Sequence, residues 1–248
     1  FLLGADLYQG LQDNLATLGY DVSTVPIRSP EWTPTLLGGS FSFYLEKLEA
    51  TIAAARARTS SEKVNLVAHS AGGWIARIFL GDKVYDGRVY NGADAVATLV
   101  TLGTPHTSLE QYPFGRVAEK RSGESDEELD DVARGSSLQF ANKQYPGAFA
   151  PHVRYVSMCG KAIKGCQLSD LLQGNGDIAS VVAFNSYKAN YGEGAVWGDG
   201  VTPLQSARLE GSEWVVLDGV RHTPVKQKSD VLWYGDASVV EQLLEYLD

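Results

Sequence analysis

Short β-rich runs alternate with helix-period segments along most of this chain, and that alternation restricts the folds open to it. KVNLVAH (63–69) leads into a helical pattern from about Ala71 to Leu80. After it come strand-like AVATLVTL (95–102) and VRYVSM (153–158), the helical IASVVAFNSYKANY (178–191), strand-like EWVVLDG (213–219) and a closing helix from Asp236 onward. Such a series builds βαβ units, so we expect an α/β fold: a mainly parallel sheet with helices on both faces. Upstream, Leu7, Leu11, Leu15 and Leu18 share one face of a helix that Gly19 ends. DVSTVPI (21–27) reads as a strand and SPEWTPTLLGG (29–39) as a connection. SFSFYLEKLEATIAAARAR (40–58) reads as a long helix, with Ser40 or Ser42 available as its cap.

One stretch interrupts the pattern. The piece of about 107–152 carries ESDEELDD (124–131) beside aromatic positions Tyr112, Phe114, Phe140, Tyr145 and Phe149, and reads as a lid-like insertion over one end of the sheet. Its acidic run is given a solvated surface and no chemistry. With no internal repeat and no linker, residues 1–248 read as a single domain.

Charge and cysteine content narrow the function. A net charge of -9 without clustered Lys and Arg excludes a nucleic-acid partner. No apolar run approaches the ~20 residues that span a bilayer, and FLLGADLYQG lacks the basic region and long apolar stretch of a secretory signal, so the chain as given reads as soluble. Cys159 and Cys166 are too few for a disulfide scaffold or a structural zinc site. They read as reduced thiols inside a cell or organelle. No metal and no cofactor are implied; GNGDIA (174–179) lacks the preceding strand that dinucleotide binding requires.

The chemistry concentrates at LVAHSAGGWIAR (66–77). A strand ends there in an open parallel sheet, where ligands bind, and delivers Ser70 to a sharp strand-to-helix turn. Ala68, Ala71, Gly72 and Gly73 supply the small neighbours such a turn needs, which makes Ser70 a nucleophile candidate and the Ala71 N–H an oxyanion donor. A serine needs a base to take its proton. His222 follows the last strand and returns to the same sheet edge; His69 is expected to pack, while His106 and His152 are lesser candidates at the ends of the insertion. Asp199, between glycines in WGDGVTP, has the chain position of the orienting acid, and a plain turn role is its alternative. Asp218 stands too near His222 in sequence, and Asp177 is placed to cap a helix.

AHSAGG, TLGTPH, GDGVTP and GVRHTP, in that order, resemble the α/β-hydrolase superfamily, in its lipase and esterase branch that includes lipases of photosynthetic organisms and, more distantly, inositol-deacylase-like proteins. The resemblance covers most of the chain and implies a Ser70–His222–Asp199 triad. One departure is Ala68, where the family usually has glycine. Family members also begin with a strand ending in a Pro-Gly-aromatic turn, which would make Phe1 the second oxyanion donor. A plastid is the compartment that likeness suggests. The function expected is hydrolysis of carboxylic esters through an acyl-enzyme, with acyl transfer and a non-catalytic binding or assembly subunit as alternatives. Trp32, Leu36, Leu37, Phe41 and Phe43 point to an apolar acyl or prenyl-like ester, or else to core; Trp32 and His106 are the substrate-binding candidates. A lipid ester would bring peripheral membrane contact.

Overall fold

The computed structural model describes residues 4–36, 38–109, 136–224 and 231–247. In chain order its main elements are α1 (Gln9–Thr17), α2 (Ser42–Thr59), β1 (Val64–His69), α3 (Gly72–Leu80), β2 (Val96–Leu102), α4 (Ser137–Gln144), β3 (Arg154–Lys161), α5 (Ile178–Tyr191) and β4 (Glu213–Asp218). The four strands form one parallel sheet in the order β1-β2-β3-β4. Its register sets His69 opposite Leu102 and Leu102 opposite Met158. The ladder then continues by one bond past each strand, from the Ser70 N–H to the Leu102 carbonyl (2.9 Å) and from the Gly103 N–H to the Met158 carbonyl (2.8 Å). The carboxyl ends of β1 and β2 therefore finish side by side, while β3 runs on from Met158 to Lys161, and the turns after β1 and β2 leave from a common edge.

Both faces of the sheet are covered, which explains why β2 and β3 read as nearly continuous apolar runs. Alternate residues go to opposite sides: Leu99 and Tyr155 join a layer with Leu45, Ile52, Trp74 and Ile75 from α2 and α3, whereas Val100, Leu102, Val156 and Met158 pack with Leu11 and Leu15 of α1 and with Val239, Val240 and Leu243. The described end of the insertion contributes to the first layer. α4 begins with a capping box, Ser136 accepting from the Gln139 N–H at 3.2 Å and the Gln139 side chain accepting from the Ser136 N–H at 3.0 Å. Phe140 and Tyr145 are buried core residues. Buried Arg77 of α3 donates to the Ala141 and Tyr145 carbonyls and to Asn142 Oδ1 (2.9 Å), placing a cation at the C-terminal end of α4; burial pushes it down to about 10. Tyr112, Phe114 and the acidic run lie outside the described residues.

Three local expectations give way. DVSTVPI is not a strand: Asp21 pairs with Arg58 near the end of α2, the Ile27 carbonyl accepts from the Ala5 N–H (2.9 Å), and a cleft of about 940 Å3 lies between residues 21–25 and β1. Among the described residues no strand pairs with the outer edge of β1, so the segment has no ladder to join. Residues 29–36 are two short helical turns rather than an open connection, with Pro30 near the start of the first and Thr35 buried in the second. Phe41, not a serine, is the N-cap of α2; the Ser40 and Ser42 hydroxyls turn to Asp86 instead. No helix among the described residues is long and apolar enough to cross a membrane, and both cysteines are free thiols.

His106 is fully enclosed, its Nε2 at 3.2 Å from Thr101 Oγ1 and its carbonyl accepting from Asn142 Nδ2 (2.9 Å). Burial, reinforced by Arg77, holds the ring well below the usual histidine range. Below the unfolded value of about 6.5 the unfolded chain binds a proton that this ring refuses, so acid favours unfolding, and the ring's contribution to stability is complete only above that pH. His106→Gln should make the fall in unfolding free energy between about pH 6 and pH 5 shallower by about 1.4 kcal/mol per pH unit. Denaturant titrations giving equal pH slopes for the variant and the parent would contradict the buried neutral ring.

Candidate active site

The turn after β1 is built for close approach. Ser70 has φ of +54°, a left-handed conformation that a residue with a side chain adopts only under constraint. The constraint comes from both sides of its peptide: its N–H extends the sheet ladder, and its carbonyl accepts from Thr104 Oγ1 (2.7 Å) and from the Gly73 N–H (3.2 Å). A Cβ on Gly73 would collide with Thr104 and with Thr101 (2.9 Å), so this glycine lets α3 sit against the turn after β2. Alanine at 68 does not crowd the corner, since even a Cβ added to Gly72 would meet Ala68 at an ordinary 3.9 Å.

Ser70, His222 and Asp199, expected from sequence to act together, lie on one line of hydrogen bonds. His222 Nε2 is 3.0 Å from Ser70 Oγ, and His222 Nδ1 is 2.7 Å from Asp199 Oδ2. A carboxylate only accepts, so in the neutral ring Nδ1 carries the proton and the Nε2 lone pair faces the Ser70 hydroxyl. The Asp199 side chain is 0% exposed and its partner His222 7%. Among the described residues no lysine or arginine is paired with the carboxylate, and four donors stand in for water. The Val201 and Thr202 N–H groups bond Oδ1 (3.0 and 2.7 Å), while His222 and the Tyr234 hydroxyl (2.8 Å) bond Oδ2. Asp199 thus closes its own turn with one oxygen and meets the His222 ring with the other.

The other candidates have other places. Asp177 caps α5, accepting from the Ser180 N–H at 2.8 Å. His152 pairs with Asp94 at 3.2 Å on the surface. His106 does not line the site: the turn at Thr104, closed by the His106 N–H on the Thr104 carbonyl (2.9 Å), carries its ring inward to Thr101. Trp32 is half-buried, stacked on Tyr44 and edge-on to Phe41 and Phe43, and lines the cleft that reaches Ser70, Ala71 and His222. Phe41 itself is fully buried core. Phe1 and Leu37 lie outside the described residues. Ala71 is the N-cap of α3, so its N–H stands at the start of that helix beside the cleft.

Sequence reading passed over three contributors. Tyr234, 35 residues from Asp199, accepts from the Gly160 N–H (2.9 Å) while donating to the carboxylate, and burial keeps it protonated far above the usual tyrosine range. Thr202 Oγ1 bonds the Gly103 carbonyl (2.8 Å), joining the acid's turn to the end of β2. Gly103 itself, φ +57°, lies under the whole assembly: a Cβ there would overlap Asp199 Oδ2 and stand 2.7 Å from Tyr234 Oη and 3.1 Å from His222 Nδ1. Its place in TLGTPH was the one available signal.

Gly103→Ala should consequently break the His222–Asp199 bond, removing the far-downfield Nδ1 proton resonance of His222 and lowering stability by about 1–3 kcal/mol. Gly10→Ala on α1, where an added Cβ meets nothing within 4 Å, should leave both unchanged or raise stability slightly. A Gly103→Ala protein that keeps the resonance refutes the packing argument.

Against known proteins, the fold has clear company. The "alpha/beta hydrolase fold" family model matches residues 1–153, a range that takes in Ser70 and ends before Asp199 and His222. The mature lipase BlEst2 of Bacillus licheniformis is similar in structure with a TM-score of 0.59 and 14% identity, over 99% of this chain and 87% of that one. Phospholipase PlaB of Legionella pneumophila gives 0.57 and 13%, over 99% of this chain and 57% of its own; this chain spans 49% of the propeptide form of BlEst2. At these identities the likeness is one of fold. None of the curated proteins matches the chain significantly. With the family match extending over more than half of its length, the chain belongs to the α/β-hydrolase fold family.

Proposed function

We propose that this chain is a serine hydrolase that cleaves carboxylic esters through an acyl-enzyme. The observation that carries the reading is the unbroken line from the Ser70 hydroxyl through the His222 ring to the buried Asp199 carboxylate. In the forward step Ser70 Oγ attacks the ester carbonyl carbon and its proton passes to His222 Nε2. Asp199 stabilises the imidazolium so formed without taking its proton. The Ala71 N–H at the start of α3 donates to the developing oxyanion. His222 then gives the proton to the leaving alkoxide. Water, deprotonated by the same ring, releases the acid and frees Ser70.

An apolar ester suits the surroundings. Leu138, Pro105, Val201 and Trp32 line the cleft together with Ser70 and His222. Similar folds named as a lipase and a phospholipase agree with a lipid ester. Contact with a membrane surface would follow from such a substrate.

A fluorophosphonate probe should label the folded protein at Ser70 only, and Ser70→Ala should abolish both labelling and turnover of p-nitrophenyl esters. Asp199→Asn should lower kcat by roughly 10^3- to 10^4-fold through the wrong ring tautomer. Across p-nitrophenyl esters from acetate to decanoate, kcat/KM should rise with chain length. Folded wild-type protein that neither labels nor turns over any of them would favour a binding subunit that has only the fold.

A further inference from the structure

The residue before the nucleophile does more than fill space. His69 Nε2 lies 3.0 Å from the carbonyl oxygen of His222, and its Nδ1 lies 2.9 Å from the Tyr8 hydroxyl. The ring stands 4.5 Å from the ring of His222. Its protonation follows from its partners: a carbonyl only accepts, so Nε2 carries the proton; Nδ1 in the neutral ring is then an acceptor, and Tyr8 must donate. Burial, helped by the neighbouring His222, keeps His69 neutral well below the usual range, and burial keeps Tyr8 protonated.

This arrangement addresses a mechanical problem. His222 sits in a turn after β4, far along the chain from Ser70, yet its Nε2 must stay within hydrogen-bond reach of one hydroxyl. Its N–H is already tied to the Asp199 carbonyl at 2.9 Å. His69 ties its carbonyl, so the peptide that bears the base is gripped by the neighbour of the nucleophile itself. Resting on the serine-hydrolase reading, we propose that Tyr8 and His69 form a positioning relay: Tyr8 holds the His69 ring through Nδ1, and the His69 Nε2–H holds the His222 main chain in register with Ser70. Both residues line the same cleft as Ser70, and the role proposed for them is exerted through the His222 main chain rather than on the substrate. A neutral ring at this spot also avoids opposing the positive charge that His222 takes on during attack.

The relay has a spectroscopic signature that does not require activity. In wild-type protein the ring nitrogen shifts of His69 should report the Nε2–H tautomer, and Tyr8→Phe should move the Nδ1 shift by removing its donor. An Nδ1–H tautomer in the wild type overturns the proposal. Kinetically, Tyr8→Phe should lower kcat about tenfold and His69→Leu about a hundredfold, each with KM within about twofold. His69→Gln, whose amide can donate to the carbonyl and accept from Tyr8, should recover to within about fivefold of wild type. The Tyr8→Phe/His69→Leu double variant should be no slower than His69→Leu alone, because both act through one contact. If Ser70→Ala is inactive while Tyr8→Phe and His69→Leu turn over like wild type, the relay falls and the serine-hydrolase reading stands. If the tautomer is as expected but wild-type protein is neither labelled nor active, the functional reading falls and the kinetic role of the relay with it.

Discussion

A single buried carboxylate organises the carboxyl edge of this sheet. Asp199 has no lysine or arginine beside it among the described residues, and an uncompensated charge at that depth would cost several kcal/mol. It is tolerated because four donors converge on it, from its own turn, from the last loop and from Tyr234. Each donor constrains a different part of the chain. The Val201 and Thr202 amides close the turn, His222 is drawn from beyond β4, and Tyr234 brings the Gly160 peptide of β3 into the same network. Gly103 is bare because all of these groups meet over it.

Ser70 answers a complementary demand. Its left-handed backbone costs of order 1–3 kcal/mol, and the sheet ladder, Thr104 and Gly73 hold it there. What results is a hydroxyl that projects from the edge rather than packing against it. The acid's network and the serine's turn meet at residues 103–104, where Gly103 makes room for the first and Thr104 braces the second. The turns after β1 and β2 bring both there, since the register aligns the ends of those two strands.

Much of this was legible in the sequence, and the residues that were not have something in common. β1, α3, β2, β3, α5 and β4 follow from period and composition alone, because strands buried on both faces must be apolar throughout and the helices between them amphipathic or buried. The line of Ser70, Asp199 and His222 followed from chain order at one sheet edge. DVSTVPI failed because a strand is a relation between two segments, and β-rich composition does not supply the neighbour. Ser40 and Ser42 failed as caps because Asp86, 44 residues downstream of Ser42, offers their hydroxyls a charged acceptor. His106 failed as a site residue because one tight turn reversed the direction of its side chain.

Local pattern, then, determined the alternation of elements, the strained corner at Ser70 and the edge to which Asp199 and His222 return, since each depends on neighbours a few residues away. Only the tertiary structure decided that Tyr234 completes the Asp199 carboxylate, that Gly103 must lack a side chain for that reason, and that Tyr8 and His69 reach the carbonyl of His222. Those contacts join residues 35 to 153 positions apart along the chain. A hydrogen bond is set by distance and angle in space, and no periodicity of sequence encodes which distant donor will fill the last lone pair of a buried group.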